Sequence, residues 1–212
     1  MAMRPATRPA EGVGTGDGEL DALCRIDGCD TLGALFRKRV QDHPGDVALR
    51  EKDLGIWNEY TWRDFGDEAR RIGMGLVALG LGRGDVCSIA SEINKEWMFA
   101  DMGVLTVGGV VNGVYPTDAP NQVEYLVNDS GSRFYFAEDE EQLDKILEVR
   151  GRTPALEKII IFDMEGLRHL DDPQCLSLDA LKALGDRELE RRPELWDQRI
   201  DAAKPDELTV LT

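Results

Sequence analysis

Two short segments of the chain combine small polar side chains with exposed backbone N–H groups, a pattern that suits ligand binding. Ala90–Asn94 follows one apolar run and precedes a helix start, and Asn112–Thr117 follows the next apolar run. In open parallel sheets, ligands bind outside the carboxyl ends of the strands, where the strand order switches. The candidate binding residues are Asn94, Asn112, Tyr115, Pro116 and Thr117. Because the same residue types serve in turns and helix caps, a purely structural role is the alternative.

Residues for catalysis by this chain alone are not evident. The sequence contains no Gly-x-x-x-x-Gly-Lys-Ser/Thr phosphate loop, no Gly-x-Ser-x-Gly and no His-Glu-x-x-His. Neither His43 nor His169 lies near a candidate nucleophile in the sequence. The acidic run Glu138–Glu141 is typical of a solvated first helical turn, although a cation site is the alternative. We therefore predict no catalytic residue and no metal site within these 212 residues.

Short apolar runs alternate with amphipathic segments through the middle of the chain. Strands are predicted at Val86–Ala90, Val110–Tyr115, Phe134–Ala137 and Lys158–Phe162. Helices are predicted between them at Lys95–Val107, Ala119–Asn128 and Glu140–Arg150. This order predicts an α/β fold, a mostly parallel sheet with helices on both faces, wound in the flavodoxin-like or Rossmann-like sense. Two weaker helical segments, Leu178–Leu184 and Glu188–Ile200, precede a last strand at Leu208–Leu211.

The first part of the chain divides into a tail and a compact beginning. Residues 1–30 are rich in Pro, Gly, Thr and Arg and are predicted to form a flexible tail, and residues 31–212 to form one domain. A helix from Thr31 to about His43 and a hairpin of Val47–Arg50 with Ile56–Tyr60 come first. Thr61 then predicts a helix N-cap, with Asp64 in the position where a capping box has Glu.

Three glycines lie inside the helix that Thr61 begins: Gly66, Gly73 and Gly75. Each costs about 1 kcal/mol of helix stability relative to Ala. Close packing against another backbone is the simplest explanation for them.

Charge and cysteine content exclude several classes of protein. With 41 acidic and 25 basic side chains, the chain has a formal net charge of −16 and repels nucleic acid. Its cysteines, Cys24, Cys29, Cys87 and Cys175, have no disulfide-framework or zinc spacing, which predicts reduced thiols and a cytoplasmic protein. No signal peptide is evident, and the most apolar segment, Trp97–Val111, is too short for a transmembrane segment.

Several short motifs follow one another in a characteristic order. Tyr60-Thr61-Trp62-Arg63-Asp64-Phe65 opens a helix, and Gly80–Val86 turns into a strand. Glu92-x-Asn94-x-Glu96-Trp97 and Val114-Tyr115-Pro116-Thr117 come next. From about Thr31 onward, this order resembles the amino-terminal part of the adenylate-forming (AMP-binding) acyl-CoA synthetase superfamily, in particular its long-chain fatty acid–CoA ligase branch.

The resemblance implies an incomplete amino-terminal AMP-binding domain. Intact family members use ATP and magnesium to form an acyl-adenylate from a fatty acid, and then transfer the acyl group to coenzyme A. In that family the last strand, here Leu208–Thr212, runs into the glycine- and hydroxyl-rich loop that holds the ATP phosphates, and this sequence ends before such a loop. We therefore expect a truncated segment whose main partner is the missing remainder of the ligase. Alone, it is predicted to be inactive and to hold neither ATP, Mg nor coenzyme A.

The resemblance also bears on the candidate site. In the acetate-activating branch, the strand end corresponding to Tyr115–Thr117 lies near the adenine of coenzyme A. Arginines at the start of the following helix assist there, where this chain has Glu141, Gln142 and Leu143 instead. The intact protein is expected to be cytoplasmic, with peripheral membrane contact as an option. The alternative function is a stand-alone α/β small-molecule binding or interaction module derived from the ligase fold.

Overall fold

The computed structural model of the protein describes residues 25–211, apart from the side chain of Asp53. Most of the tail predicted over residues 1–30 therefore lies outside the described residues. The helices are α1 Leu32–Asp42, α2 Trp62–Ala78, α3 Lys95–Thr106, α4 Pro120–Ser130, α5 Glu140–Val149, α6 Leu178–Arg191 and α7 Leu195–Asp201. The strands are β1 Val47–Asp53, β2 Ile56–Thr61, β3 Val86–Ala90, β4 Val110–Val114, β5 Phe134–Ala137, β6 Lys158–Ile161, β7 Cys175–Ser177 and β8 Val210–Leu211.

The main sheet has six parallel strands in the order β7-β6-β5-β3-β4-β8. Five of them follow the flavodoxin-like winding, in which the chain leaves the first strand, β3, on one side and later returns to its other side. The order switches between β3 and β5. The predicted α/β class and parallel sheet are confirmed, and β1 and β2 form the predicted antiparallel hairpin beside the sheet.

Both faces of the sheet are covered by apolar packing, because successive strand residues point to opposite faces. Along β5, Phe134 and Phe136 enter the cluster that contains α2 and α3 residues, whereas Tyr135 and Ala137 enter the cluster that contains α4 and α5 residues. All four of these side chains are fully buried. This two-sided burial explains why the strand is apolar at every position rather than at alternate ones.

Close approach of a neighbouring backbone explains two of the three glycines of α2. A Cβ on Gly73 would lie 2.5 Å from the Gly103 carbonyl oxygen of α3, and one on Gly75 would lie 2.3 Å from the Leu181 carbonyl oxygen of α6. At Gly66, by contrast, the added carbon would meet the Val40 side chain at 2.7 Å. The capping box at Thr61 and Asp64 is also present as predicted.

The carboxy-terminal third of the chain differs most from the sequence predictions. The helix predicted to end at Leu184 continues to Arg191, and the next helix begins only at Leu195, after Pro193. Strand β7 was not predicted. The last strand, predicted at Leu208–Leu211, covers only Val210–Leu211, and it pairs with β4 through Val111–Val210 and Asn112–Leu211. Between residues 25 and 211, no helix is long and apolar enough to cross a membrane.

Candidate functional site

A cleft of about 690 Å³ opens at the carboxyl edge of the sheet, beside the ends of β3, β4 and β8. Its wall is largely apolar and includes Ile93, Trp97, Tyr115, Tyr125, Leu126 and Leu211. Tyr115 is 75% exposed and Tyr125 is 65% exposed, so aromatic surface is available at the cleft. The cleft lies at the edge where parallel sheets usually hold ligands.

Asn94 holds the loop that follows β3. Its Oδ1 accepts the N–H of Trp97 at 2.8 Å, which caps α3, and its Nδ2 donates to Glu138 Oε1 at 3.2 Å. Glu138 follows β5, and its other carboxylate oxygen accepts the N–H of Glu92 at 2.7 Å. Glu138 therefore ties the loop after β3 to the end of β5, across the point where the strand order switches. Capping, the alternative considered from the sequence, is what the Asn94 side chain does here.

Asn112 lies inside the sheet rather than at its edge. It is the third residue of β4 and is only 4% exposed. Its Nδ2 donates to Ser88 Oγ at 2.9 Å and to Ser130 Oγ at 3.3 Å. These bonds link β4 to β3 and to the end of α4. The amide thus satisfies buried hydroxyl groups in the core, and Asn112 is not among the residues that line the cleft.

Tyr115, Pro116 and Thr117 form the turn after β4. The Asp118 N–H donates to the Tyr115 carbonyl oxygen at 2.9 Å, and Asp118 Oδ2 accepts the Tyr115 N–H at 3.2 Å. Tyr115 and Pro116 line the cleft. Pro116 and Thr117 also line a second cleft of about 470 Å³, whose remaining walls are Glu92, Glu138, Asp139, Glu141, Gln142 and Lys145.

Lys145 is the residue of this edge that sequence reasoning did not select. Its ammonium group donates to the Pro116 carbonyl oxygen, and also contacts Gln142 Oε1 at 3.2 Å and Glu141 Oε1 at 3.0 Å. The side chain is only 15% exposed. Its position four residues after Glu141 signals a helical ion pair, but nothing local in the sequence indicates the contact with Pro116.

The phenol of Tyr135 lies beneath this edge. Its hydroxyl oxygen is buried and has no hydrogen-bond partner among the described residues. Burial, together with the Asp118 carboxylate, raises the pKa of Tyr135 above its ordinary value. The phenol therefore stays neutral at physiological pH and supplies no charge to the site.

The charges at this edge limit the groups that it can accept. A diphosphate beside Pro116 and Thr117 would meet the carboxylates that line the second cleft. Among residues 25–211, Lys145 is the one cation that lines that cleft, and it is already paired with Glu141. Within residues 25–211, no group of three or more acidic, His or Cys residues is arranged to hold a metal ion. The carboxylates that line this edge therefore disfavour a phosphate group beside Pro116 and Thr117.

The AMP-binding enzyme family matches residues 36–211. The chain belongs to this family. Long-chain-fatty-acid–CoA ligase FadD15 from Mycobacterium bovis is 29% identical over 142 residues, which is 67% of this chain and 24% of that protein. Long-chain-fatty-acid–CoA ligase ACSBG1 from Bos taurus is 28% identical over 181 residues, which is 85% of this chain and again 24% of the relative. The chain thus spans about a quarter of the length of the curated relatives that it matches.

Solved structures of ligases share the fold. The anthranilate CoA ligase AuaEII in complex with anthranoyl-AMP superposes with a TM-score of 0.62 at 23% identity, over 72% of this chain and 27% of that one. A mutant form of coronafacic acid ligase from Pectobacterium brasiliense gives a TM-score of 0.63 at 19% identity, over 72% of this chain and 29% of that one. The family resemblance and the fold class expected from the sequence are both confirmed.

Proposed function

We propose that the chain is the amino-terminal segment of an ATP-dependent, AMP-forming long-chain fatty acid–CoA ligase. The observation that carries this proposal is the family match over residues 36–211, together with relatives named as long-chain-fatty-acid–CoA ligases. The intact enzyme would use a fatty acid, ATP, magnesium and coenzyme A. It would work in the cytoplasm, where the three described cysteines, all free, suit a reducing environment.

The carboxyl edge of the sheet is the proposed contribution of this segment to substrate binding. Tyr115 and Pro116 would border the purine of coenzyme A, with Thr117 beside them, and the phosphates would take their positive charge from residues beyond this segment. Asn94 would shape the loop on the opposite side of the cleft. Since the sequence contains no glycine- and hydroxyl-rich phosphate loop, we expect no adenylation by the segment alone.

Pyrophosphate release is the direct test of that expectation. The purified 212-residue chain, incubated with palmitate, ATP and MgCl₂, should release no more pyrophosphate than a boiled sample. A complete long-chain ligase serves as the positive control. Release that depends on palmitate would overturn the proposed inactivity.

The coding DNA downstream of Thr212 tests the larger proposal. We expect an in-frame Tyr-Thr-Ser-Gly-Thr-Thr-Gly-like sequence followed by the rest of a ligase. A stop codon followed by unrelated sequence would contradict the proposal that the chain is a ligase segment.

A stand-alone binding module is the second candidate, and the cleft of about 690 Å³ is the observation that favours it. Such a module would unfold in one sharp cooperative transition, and would shift that transition upward when an apolar ligand binds. A ligase segment would lack such a shift. Thermal unfolding with and without palmitoyl-CoA separates the two candidates.

A further inference from the structure

We infer that Lys145 is a positioning residue, which fixes the turn Tyr115–Asp118 at the mouth of the cleft. The importance of this contact for substrate binding rests on the proposed function, because the turn is where coenzyme A is proposed to bind. The contact itself rests only on the geometry of the described residues.

The turn has one hydrogen bond to the helix beside it. Its other bonds are internal, between Tyr115 and Asp118, or lead into the start of α4, where Gln122 Oε1 accepts the Ala119 N–H at 2.9 Å. Within residues 25–211, Lys145 is the only donor from another element that reaches the turn, through the Pro116 carbonyl oxygen. The orientation of the peptide group after Pro116 therefore depends on α5.

The Lys145 ammonium group is held from three directions. Its N–H groups donate hydrogen bonds to the Pro116 carbonyl oxygen and to Gln142 Oε1 at 3.2 Å, and its charge pairs with Glu141 Oε1 at 3.0 Å. Because only 15% of the side chain is exposed, water competes weakly for these bonds. These contacts hold the lysine side chain in one position. There it forms a bridge, here called the strut, from α5 to the Pro116 carbonyl oxygen of the turn.

The strut matters because the turn carries the aromatic ring of Tyr115. Tyr115 immediately precedes Pro116, and its ring is 75% exposed at the cleft with no hydrogen bond from its hydroxyl group among the described residues. The backbone of the turn therefore sets the point from which this ring projects. Releasing the Pro116 carbonyl oxygen would let the turn, and with it the aromatic wall of the cleft, move away from β4.

Amide hydrogen exchange of the 212-residue chain measures the strut without any substrate. In Lys145→Met, the Tyr115 and Asp118 amides should exchange about tenfold faster than in the wild type, because local opening no longer breaks a charge-assisted hydrogen bond. Lys145→Arg retains a donor and should restore most of the protection. Equal exchange in Lys145→Met and the wild type, or loss of protection that Lys145→Arg fails to restore, would overturn the inference.

Two control variants separate the strut from other roles of a partly buried lysine. Glu141→Gln removes the ion pair within α5 but keeps the bond to Pro116, so exchange at Tyr115 and Asp118 should stay at the wild-type rate. Lys182→Met removes a lysine of the same 15% exposure that pairs with Glu68 and Asp179 elsewhere, and it should leave the turn unchanged. Faster exchange at the turn in either control would contradict the inference. Since no substrate is present, a failed ligase assignment leaves this test intact.

Discussion

Asp101 is a partly buried residue of α3, and the pKa of its carboxyl group is raised. Desolvation alone raises the pKa of Asp101 to about 6 from the model-peptide value of 3.8. No hydrogen bond or ion pair compensates this burial among the described residues. The folded protein therefore binds a proton at Asp101 more tightly than the unfolded chain does, and ionisation of this group destabilises the fold.

Replacing Asp101 by Asn should stabilise the protein by roughly 1–3 kcal/mol at pH 7.5, since a pKa difference of one unit corresponds to about 1.4 kcal/mol. The folded-state pKa is the higher one, so the penalty is complete above about pH 6 and disappears below the unfolded-state pKa. At pH 5 the gain should be about half of its value at pH 7.5. Urea unfolding at the two pH values measures both quantities.

Asp144→Asn is the matched control, because Asp144 is exposed in the middle of α5. We expect it to change the free energy of unfolding by less than about 0.5 kcal/mol at either pH. A stabilisation by Asp101→Asn that does not depend on pH would contradict the titration argument.

At the residue scale, sequence reasoning located part of the candidate site but missed the residues that hold its loops in place. Tyr115 and Asn94 could be found because Tyr115 directly follows β4 and Asn94 lies in the short loop between β3 and the next helix. Glu138 and Lys145 could not, since their contacts with Asn94 and Pro116 span 44 and 29 residues of sequence. Asn112 was placed at a strand end, whereas it is the third residue of β4, where its hydrogen bonds to Ser88 and Ser130 decide its role.

At the scale of the elements, α2 packs so closely against α3 and α6 that its glycines cannot be replaced freely. Gly75→Ala would bring a methyl group to 2.3 Å from the Leu181 carbonyl oxygen, and a rigid backbone atom cannot move aside as a side-chain end would. We expect a destabilisation of roughly 2–4 kcal/mol, despite the higher helix propensity of Ala. Chemical denaturation measures it.

Gly151→Ala provides the comparison, because nothing lies within 4 Å of the added carbon there. This variant should be neutral or stabilising by a few tenths of a kcal/mol, up to about 1 kcal/mol. If the free energy of unfolding of Gly75→Ala equalled that of Gly151→Ala, the inferred close approach of the α2 and α6 backbones would be contradicted.

Elements with a strong local signal were predicted well, and those that depend on tertiary contacts were not. Val86–Ala90 and Phe134–Ala137 match β3 and β5 because both are short apolar runs bounded by turn residues or charges. Gly185 signals a helix end by propensity, yet α6 continues through it because Gly185 lies against the Arg71 carbonyl group. Strand β7 has three residues, and only its pairing with β6 makes it a strand.

At the scale of the whole molecule, the sheet ends in a strand with a neighbour on one side only among the described residues. The Thr209 carbonyl oxygen accepts the Val111 N–H at 2.8 Å, so the alternation of a parallel pair directs the backbone groups of Val210 away from β4. Val210 is 43% exposed and Leu208 is 60% exposed. An apolar strand edge of this kind is available for pairing with another chain.

The net charge of −16 opposes such pairing between copies of this chain. Salt screens that repulsion, with a Debye length that falls from about 30 Å at 0.01 M to about 3 Å at 1 M. We therefore expect the weight-average mass in sedimentation equilibrium to rise with protein concentration in 0.5 M NaCl and to remain near that of the monomer in 0.02 M NaCl. Val210→Lys should suppress the association at high salt, because a charged side chain at an edge strand disfavours pairing.

Val47→Lys adds the same charge at a site of similar exposure, 40%, far along the chain on the hairpin. It should leave the association intact if the edge of β8 is responsible. Equal suppression by both variants would assign the effect to charge alone, and a mass independent of salt and concentration would show that the edge is not available.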